Sequence, residues 1–254
     1  MHFLLIFIPG IVIGSFLNVC ICRIPEGESI VYPSSRCIYC GTPLKWYDLI
    51  PILSYLSLKG KCRYCGGLIS PQYPIVELLN GLLYLYFFYK FGLSPEFIFY
   101  CIAFSILMII SFIDYYKQII PDGLLLIFML CIIIYKIINL ILYNIPLNIR
   151  DGIFGFILGG LVFFIIAIVS NGAMGGGDIK LIAVLGFIIG LKKTILNILL
   201  SFIIGAVISV FLLLSRKKGR KDAIPFGPFI NIAFFITVFY GESIMEWYIL
   251  TLLR

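Results

Sequence analysis

Residues 106–123 read I-L-M-I-I-S-F-I-D-Y-Y-K-Q-I-I-P-D-G. An apolar run closes on an aspartate, Asp114, takes a short polar step, and restarts beyond Pro121 and Asp122. A charged group within hydrocarbon is costly, so a carboxylate at the end of such a run sits at a lipid–water boundary and demands a reason for being there. Similar runs fill the chain. Of its 254 residues 62% are hydrophobic and 12% charged, with a mean hydropathy of +1.12. So few charges cannot clothe a water-soluble surface, and lipid is the solvent for most of the molecule.

Apolar runs predict spans near 3–22, 75–91, 97–116, 123–143, 152–170, 179–191, 195–215 and 224–240, with a short interfacial stretch at 243–253. About 20 residues cross a bilayer as a helix. Backbone groups in lipid must pair within their own segment, so these runs are expected to be helical. The expected fold is an all-α polytopic membrane protein of about eight transmembrane helices. It divides into a first transmembrane helix (1–22), a polar insert (23–74) and a transmembrane core (75–254). The first run has no Lys or Arg ahead of it and no A-x-A-like site, so it reads as a retained span and not as a cleaved signal peptide.

The net charge of +7 does not point to nucleic acid, because the basic residues fall mostly between apolar runs. They act there as topology signals. With 23–74 inside, the inner loops hold Arg23, Arg36, Lys45, Lys59, Lys61, Arg63, Lys117, Lys180, Arg216, Lys217, Lys218, Arg220 and Lys221, which is 13 of the 19 basic residues. The outer ends receive Lys90, Lys136, Arg150, Lys192, Lys193 and Arg254. This bias predicts a cytoplasmic insert and both termini outside, with the run Arg216–Lys221 as the strongest anchor.

The insert carries Pro25, Pro33, Pro43, Pro51 and Pro71 and is expected to be turn-rich, with short strands at most. Within it, Cys37 and Cys40 form one C-x2-C pair and Cys62 and Cys65 another, 21 residues apart. Two intervening residues let both thiolates of a pair reach one ion, and the glycines that follow, Gly41 and Gly66, let backbone amides turn toward the sulfurs. Four thiolates complete tetrahedral zinc and leave no open position, so the site is structural. An insert of this size has little core of its own, and metal would supply much of its folding free energy. Two disulfides or a redox C-x-x-C are the competing readings; the inferred cytoplasmic side disfavours the first. Cys20, Cys22, Cys101 and Cys131 lie in apolar runs and read as packing residues.

The single histidine, His2, excludes Ser–His and Cys–His catalysis and the H-E-x-x-H zinc proteases. What remains is acid chemistry. Asp122 follows Pro121 at the start of an apolar run and reads as a helix N-cap. Asp178 closes G-A-M-G-G-G-D-I-K-L, residues 172–181, where a glycine triplet interrupts apolar helix. An N-cap is the plain reading of Asp178 too, yet a cap needs no triplet, and glycines let the backbone bend and another chain approach. Asp114 and Asp178 are placed on separate helices at the same face and similar depth. Carboxyls a few ångströms apart in low dielectric share a proton: one becomes a general base and the other keeps its hydrogen. Such a dyad activates water against a peptide carbonyl without metal or histidine.

With these residues the chain closely resembles the type IV prepilin peptidases, G-x-G-D aspartyl intramembrane proteases. The matching pieces run in order along nearly the whole chain: G-S-F-L-N-V-C-I-C-R-I-P (14–25), the cysteine quartet, D-L-I-P-I-L-S-Y-L (48–56), Y-P-I-V-E-L (73–78), I-D-Y-Y-K-Q-I-I-P-D (113–122), G-G-G-D-I-K-L (175–181) and I-P-F-G-P-F (224–229). The resemblance implies that Asp114 and Asp178 are the two catalytic aspartates. It implies cleavage of prepilin or pseudopilin leaders on the cytoplasmic side of a bacterial inner membrane, in the company of pilus or secretion assembly machinery. Members with the cysteine insert also methylate the new amino terminus with S-adenosylmethionine, so methylation is implied as well. For that half Glu77 and Asn18, polar groups at span ends beside the insert, are the candidates. Helix-start stabilisation for Glu77 and interhelical bonding for Asn18 are the structural alternatives. The I-P-F-G-P-F segment breaks or begins a helix at Pro225 and Pro228, and the resemblance makes it a wall near the site. Against all this stand a transporter moving ions or protons on paired acids, and a membrane scaffold docking partners through its insert.

Overall fold

The structure is a computed structural model that describes residues 2–172, 174–215 and 224–252. The basic run Arg216–Lys221, expected to anchor the topology, lies outside the described residues. Helices are α1 (His2–Arg23), α2 (Leu53–Ser57), α3 (Gln72–Phe91), α4 (Pro95–Lys117), α5 (Asp122–Tyr143), α6 (Ile149–Val169), α7 (Gly176–Leu214) and α8 (Gly227–Leu252). Among the described residues β pairing is limited to two isolated bridges, both in the insert.

Every expected apolar run is helical, but the elements are cut differently. The runs 179–191 and 195–215 belong to one element, α7, broken at Gly190, whose φ of 77° and ψ of 176° lie outside helical space. Only glycine takes that conformation without strain. The stretch 243–253 is not a separate interfacial piece: α8 runs unbroken to Leu252. It contains no proline beyond its first turn, so every later residue keeps the backbone N–H that the helix ladder needs. Among the described residues six helices are long and apolar enough to cross a membrane: α1, α4, α5, α6, α7 and α8. The 20-residue α3, carrying Glu77, Asn80 and Lys90, is not among them. The protein is an integral membrane protein.

The chain forms two compact units, Met1–Ile109 and Ile110–Arg254, with α4 passing from one into the other. In the first unit α1 packs on α3 through small residues: a methyl group on Gly14 would lie 2.7 Å from the Glu77 Cα, and one on Gly81 would lie 2.6 Å from the Phe7 ring. Close backbone approach of this kind is how helices associate where lipid removes the hydrophobic drive. Polar groups reinforce it. The buried Asn80 amide donates to the Gly10 carbonyl at 2.7 Å and accepts from Ser105 at 3.1 Å, and the Ser105 hydroxyl pairs with the Tyr84 hydroxyl at 3.2 Å.

In the second unit α7 is the central element, packed against α6, α8 and α5. Gly152 and Gly159 of α6 face the α7 carbonyls of Phe187 and Ile182, where an added methyl would sit at 2.7 and 2.9 Å. Gly155 and Gly186 touch backbone to backbone. Beyond the break, Lys193 pairs with Glu242 of α8 at 2.9 Å. The result holds the glycine-led start of α7 against fixed neighbours, which is what places Asp178.

Candidate active site

Asp114 lies in the last turn of α4, which ends where Gln118 takes a left-handed φ of 55°. Its side chain is buried, with the residue 5% exposed. The Gly227 backbone amide donates to Asp114 Oδ2 at 2.8 Å. That amide is the first of α8, one of the four donors a helix leaves without intrahelical partners. The proline-flanked segment expected to wall the site therefore reaches it directly. One turn deeper, Asn231 Nδ2 donates to Ser111 Oγ at 2.7 Å and ties α8 to α4 a second time. Phe226 fixes the approach from behind, with ring centroids 5.2 Å from Phe202, 5.8 Å from Phe229 and 5.9 Å from Phe163.

Asp178 is the third residue of α7, not its cap; Gly175 holds the cap position and makes no side-chain bond. The residue is 9% exposed, and its Oδ1 is buried without a hydrogen-bond partner. The two acids singled out in the sequence are thus both buried in the same compact unit, Asp114 at the end of α4 and Asp178 at the start of α7. A buried carboxyl oxygen with no donor is expensive in a folded protein and is retained where something else is meant to meet it. Gly177 accounts for one glycine of the triplet: a methyl there would lie 2.8 Å from Ile120 Cβ, so the start of α7 seats against the α4–α5 connection only with glycine at that position.

Asp122 does not cap α5. Pro121 occupies the cap position, and Asp122 is the first helical residue. Its two oxygens accept from Lys180 Nζ at 2.8 Å each. Asp122 thereby still stabilises the helix start through the dipole, while the pair joins α5 to α7 two residues past Asp178. Nothing in the sequence separation of 58 residues announced that pair.

In the first unit Glu77 and Asn18 are both buried, at 6% and 1% exposure. Glu77 Oε2 accepts the Ile52 amide at 2.7 Å, holding a residue with φ of 61°. Asn18 donates to the Tyr73 and Gly14 carbonyls at 3.1 and 3.3 Å and accepts from Gln72 at 3.3 Å. Asn18 therefore bonds across α1 and α3, as its structural alternative anticipated.

The four insert cysteines converge. All are free, their sulfurs lie within 4.8 Å of one another, and Cys37 Sγ is 3.8 Å from Cys65 Sγ. Tetrahedral zinc with about 2.3 Å bonds to sulfur spaces its ligands by about 3.8 Å. The two pairs are built alike. Gly41 N bonds Cys37 O at 2.9 Å and Gly66 N bonds Cys62 O at 2.9 Å; Cys37 N bonds Thr42 O at 3.0 Å and Cys62 N bonds Gly67 O at 2.7 Å. Both glycines have positive φ, 69° and 72°. A bridge closes each turn, Arg36 with Pro43 and Lys61 with Leu68. The donor set fits a structural metal.

Asp48 braces this insert. Its covered carboxylate takes Arg63 Nε at 2.7 Å, the Tyr64 hydroxyl at 3.0 Å and the Lys45 amide at 3.3 Å. Burial works against its ionisation, but these donors outweigh it and hold the carboxyl below the ordinary carboxylate range. Burial and the neighbouring Asp48 push the Tyr64 hydroxyl up to about 12.

Residues 8–91 match the bacterial peptidase A24 N-terminal domain, and residues 101–210 match the type IV leader peptidase family. A Bacillus subtilis (strain 168) protein, prepilin leader peptidase/N-methyltransferase, is 35% identical over 246 residues, covering 96% of this chain and 97% of its own length. The chain belongs to the type IV leader peptidase family. Proteins of the same name from Aeromonas salmonicida (strain A449) and Pseudomonas putida are 33% and 31% identical, covering 100% and 92% of this chain and 96% and 89% of their own length. No solved structure matches. Within the leader peptidase family match lie both Asp114 and Asp178, while the four cysteines, Asn18 and Glu77 lie in the N-terminal match. Gly227, whose amide touches Asp114, falls beyond both matched segments.

Proposed function

We propose that this protein cleaves the leader from prepilin or pseudopilin substrates with Asp114 and Asp178 as its catalytic pair, and N-methylates the new amino terminus. The single observation that carries the peptidase reading is the buried, partnerless Oδ1 of Asp178 in the same compact unit as a second buried carboxyl, that of Asp114, whose own Oδ2 is held by a backbone amide. Two such groups share one proton. The ionised member takes a proton from water, the resulting hydroxide attacks the scissile carbonyl carbon, and the neutral member hydrogen-bonds the carbonyl oxygen as charge develops there. Collapse of the tetrahedral intermediate breaks the C–N bond as the leaving nitrogen is protonated, and the shared proton is restored. The family membership argues against a transporter, which would use the same acids without cleaving peptide.

The insert 23–74 is a cytoplasmic zinc-bearing module and 75–254 the peptidase core, in a bacterial inner membrane with the aspartates facing the cytoplasm. The charge bias of the loops supports that orientation. Pilus or secretion assembly machinery then receives the product. Zinc, held by Cys37, Cys40, Cys62 and Cys65, supplies folding free energy to the insert and no chemistry. The methyl donor, S-adenosylmethionine, supplies an electrophilic methyl group. Glu77 is our candidate for its ammonium, as a buried carboxyl beside the insert that the Ile52 amide and the Ser15 hydroxyl already hold in place. Asn18, with donors and acceptor all engaged, positions the α1–α3 wall beside it.

The test is mass spectrometry of a prepilin incubated with purified protein and S-adenosylmethionine. Wild type is expected to yield a cleaved, methylated chain. Asp114→Asn and Asp178→Asn are expected to leave the leader attached while eluting and melting like wild type. Normal processing by either variant ends the dyad reading.

A further inference from the structure

We propose that the cavity formed by the end of α5, the turn 144–148, the start of α6 and the break in α7 binds the zwitterionic headgroup of a membrane phospholipid carrying phosphoethanolamine. This cavity, of about 250 Å³, is lined by Lys136, Asn139, Leu147, Asp151, Phe187 and Gly190, among others. Small-molecule pockets that enclose a drug-sized ligand run from roughly 300 Å³ upward. This one suits a headgroup whose chains remain outside.

Its polar residues, which include Tyr135 and Asn148, hold two groups of opposite charge and one side-chain oxygen without a partner. Lys136 Nζ donates to the Leu147 carbonyl at 3.3 Å and lies 5.3 Å from the Phe187 ring centroid. An ammonium has three donors, so two remain for an anion. Asp151 Oδ1 accepts the Leu191 amide at 3.1 Å, capping the second half of α7, and the carboxylate abuts Gly190. Its other lone pairs face a cation or an N–H. Asn139 Oδ1 is buried and accepts no hydrogen bond. A bare phosphate would satisfy Lys136 but meet the Asp151 charge and leave Asn139 without a donor. A bare cation would satisfy Asp151 and Asn139 but meet Lys136. An ethanolamine phosphate serves all three, with phosphate on Lys136 and ammonium on Asn139 and Asp151.

The setting supplies the source. α5 ends at Tyr143 and α6 begins at Ile149, so the cavity lies where two spans stop, the level of lipid headgroups. Ile141, Leu142, Ile145, Ile149 and Ile153 around it are exposed, an apolar rim for acyl chains. A bound headgroup would brace the Gly190 break twelve residues along α7 from Asp178.

The experiment is native mass spectrometry of the full-length protein in detergent, titrated separately with phosphatidylethanolamine, with phosphatidylglycerol of the same chains, and with free phosphoethanolamine. Phosphatidylethanolamine is expected to bind about 10-fold more tightly than phosphatidylglycerol, the worth of one charge-assisted hydrogen bond. Asn139→Leu, which removes an acceptor for the ammonium, is expected to erase that preference, and Lys136→Gln, which removes the cation on the phosphate, to weaken binding of both lipids. Asn139→Asp, which adds a carboxylate toward the ammonium at unchanged size, is expected to keep phosphatidylethanolamine and weaken phosphatidylglycerol further, so the proposal survives a variant that fails to fold. Equal binding of both lipids in wild type overturns the proposal, as does undiminished lipid binding in Lys136→Gln or a preference untouched in Asn139→Leu. Free phosphoethanolamine binding as tightly as the lipid also overturns it, because the occupant is then a soluble zwitterion.

Discussion

The amide of Gly227 donates a 2.8 Å hydrogen bond to Asp114 Oδ2 across 113 residues of sequence. A methyl group at Gly227 would stand 2.8 Å from that same oxygen. The position thus contributes both a donor and the room for the carboxylate to receive it. We expect Gly227→Ala to lower kcat/KM for leader cleavage by about 10²-fold, the scale on which displacement of a catalytic group by an ångström acts. Thermal stability in detergent should change little. A Gly227→Ala enzyme with unaltered kcat/KM would show that this tether is incidental.

Metal content is the direct check on the insert. One zinc per chain is expected by elemental analysis, and Cys62→Ser should lose it. The insert should then become protease-sensitive between residues 30 and 70, because the ion supplies folding free energy that so small a segment lacks. Strong chelators should reproduce the effect on wild type. Metal-free protein with an intact, protease-resistant insert is the outcome that contradicts the assignment.

Asp48 makes the insert's stability depend on acid. Its folded carboxyl is held below the ordinary value by Arg63, Tyr64 and the Lys45 amide. The stabilisation it gives is fully present above the unfolded carboxylate pKa of about 4, and is lost as pH falls through the lower folded value. Asp48→Asn should remove that acid-sensitive step. Limited proteolysis of the insert across pH 3–6 measures it, and identical profiles for the variant and wild type would contradict the account.

Asn80 is the polar link between α1, α3 and α4 within the first unit. Asn80→Leu should cost about 1–2 kcal/mol in detergent unfolding, near the upper range for interhelical hydrogen bonds in membranes. Cleavage by the remaining folded fraction should be normal. A fully stable variant would mean that the Gly10 and Gly81 packing suffices by itself.

The sequence by itself determined that the chain spans a membrane, that its spans are helical, that four cysteines make one site, and that Asp114 and Asp178 stand at the ends of apolar helices. Those features are legible because they rest on local rules: a residue's transfer cost into lipid, the two-residue spacing of a metal pair, and the expense of a boundary carboxylate. Tertiary structure alone decided the rest. Asp122 looked like a cap and is an ion-pair partner of Lys180, because Pro121 had already taken the cap position. Two apolar runs proved to be one broken helix, and an apparent interfacial tail the end of α8. The Gly227 amide reaches Asp114 across 113 residues, and the cavity brings Lys136, Asn139 and Asp151 together with Phe187 and Gly190 of α7. Which backbone donor meets which carboxylate depends on how helices cross, and crossing is set by the sum of many small packing contacts that no short motif encodes.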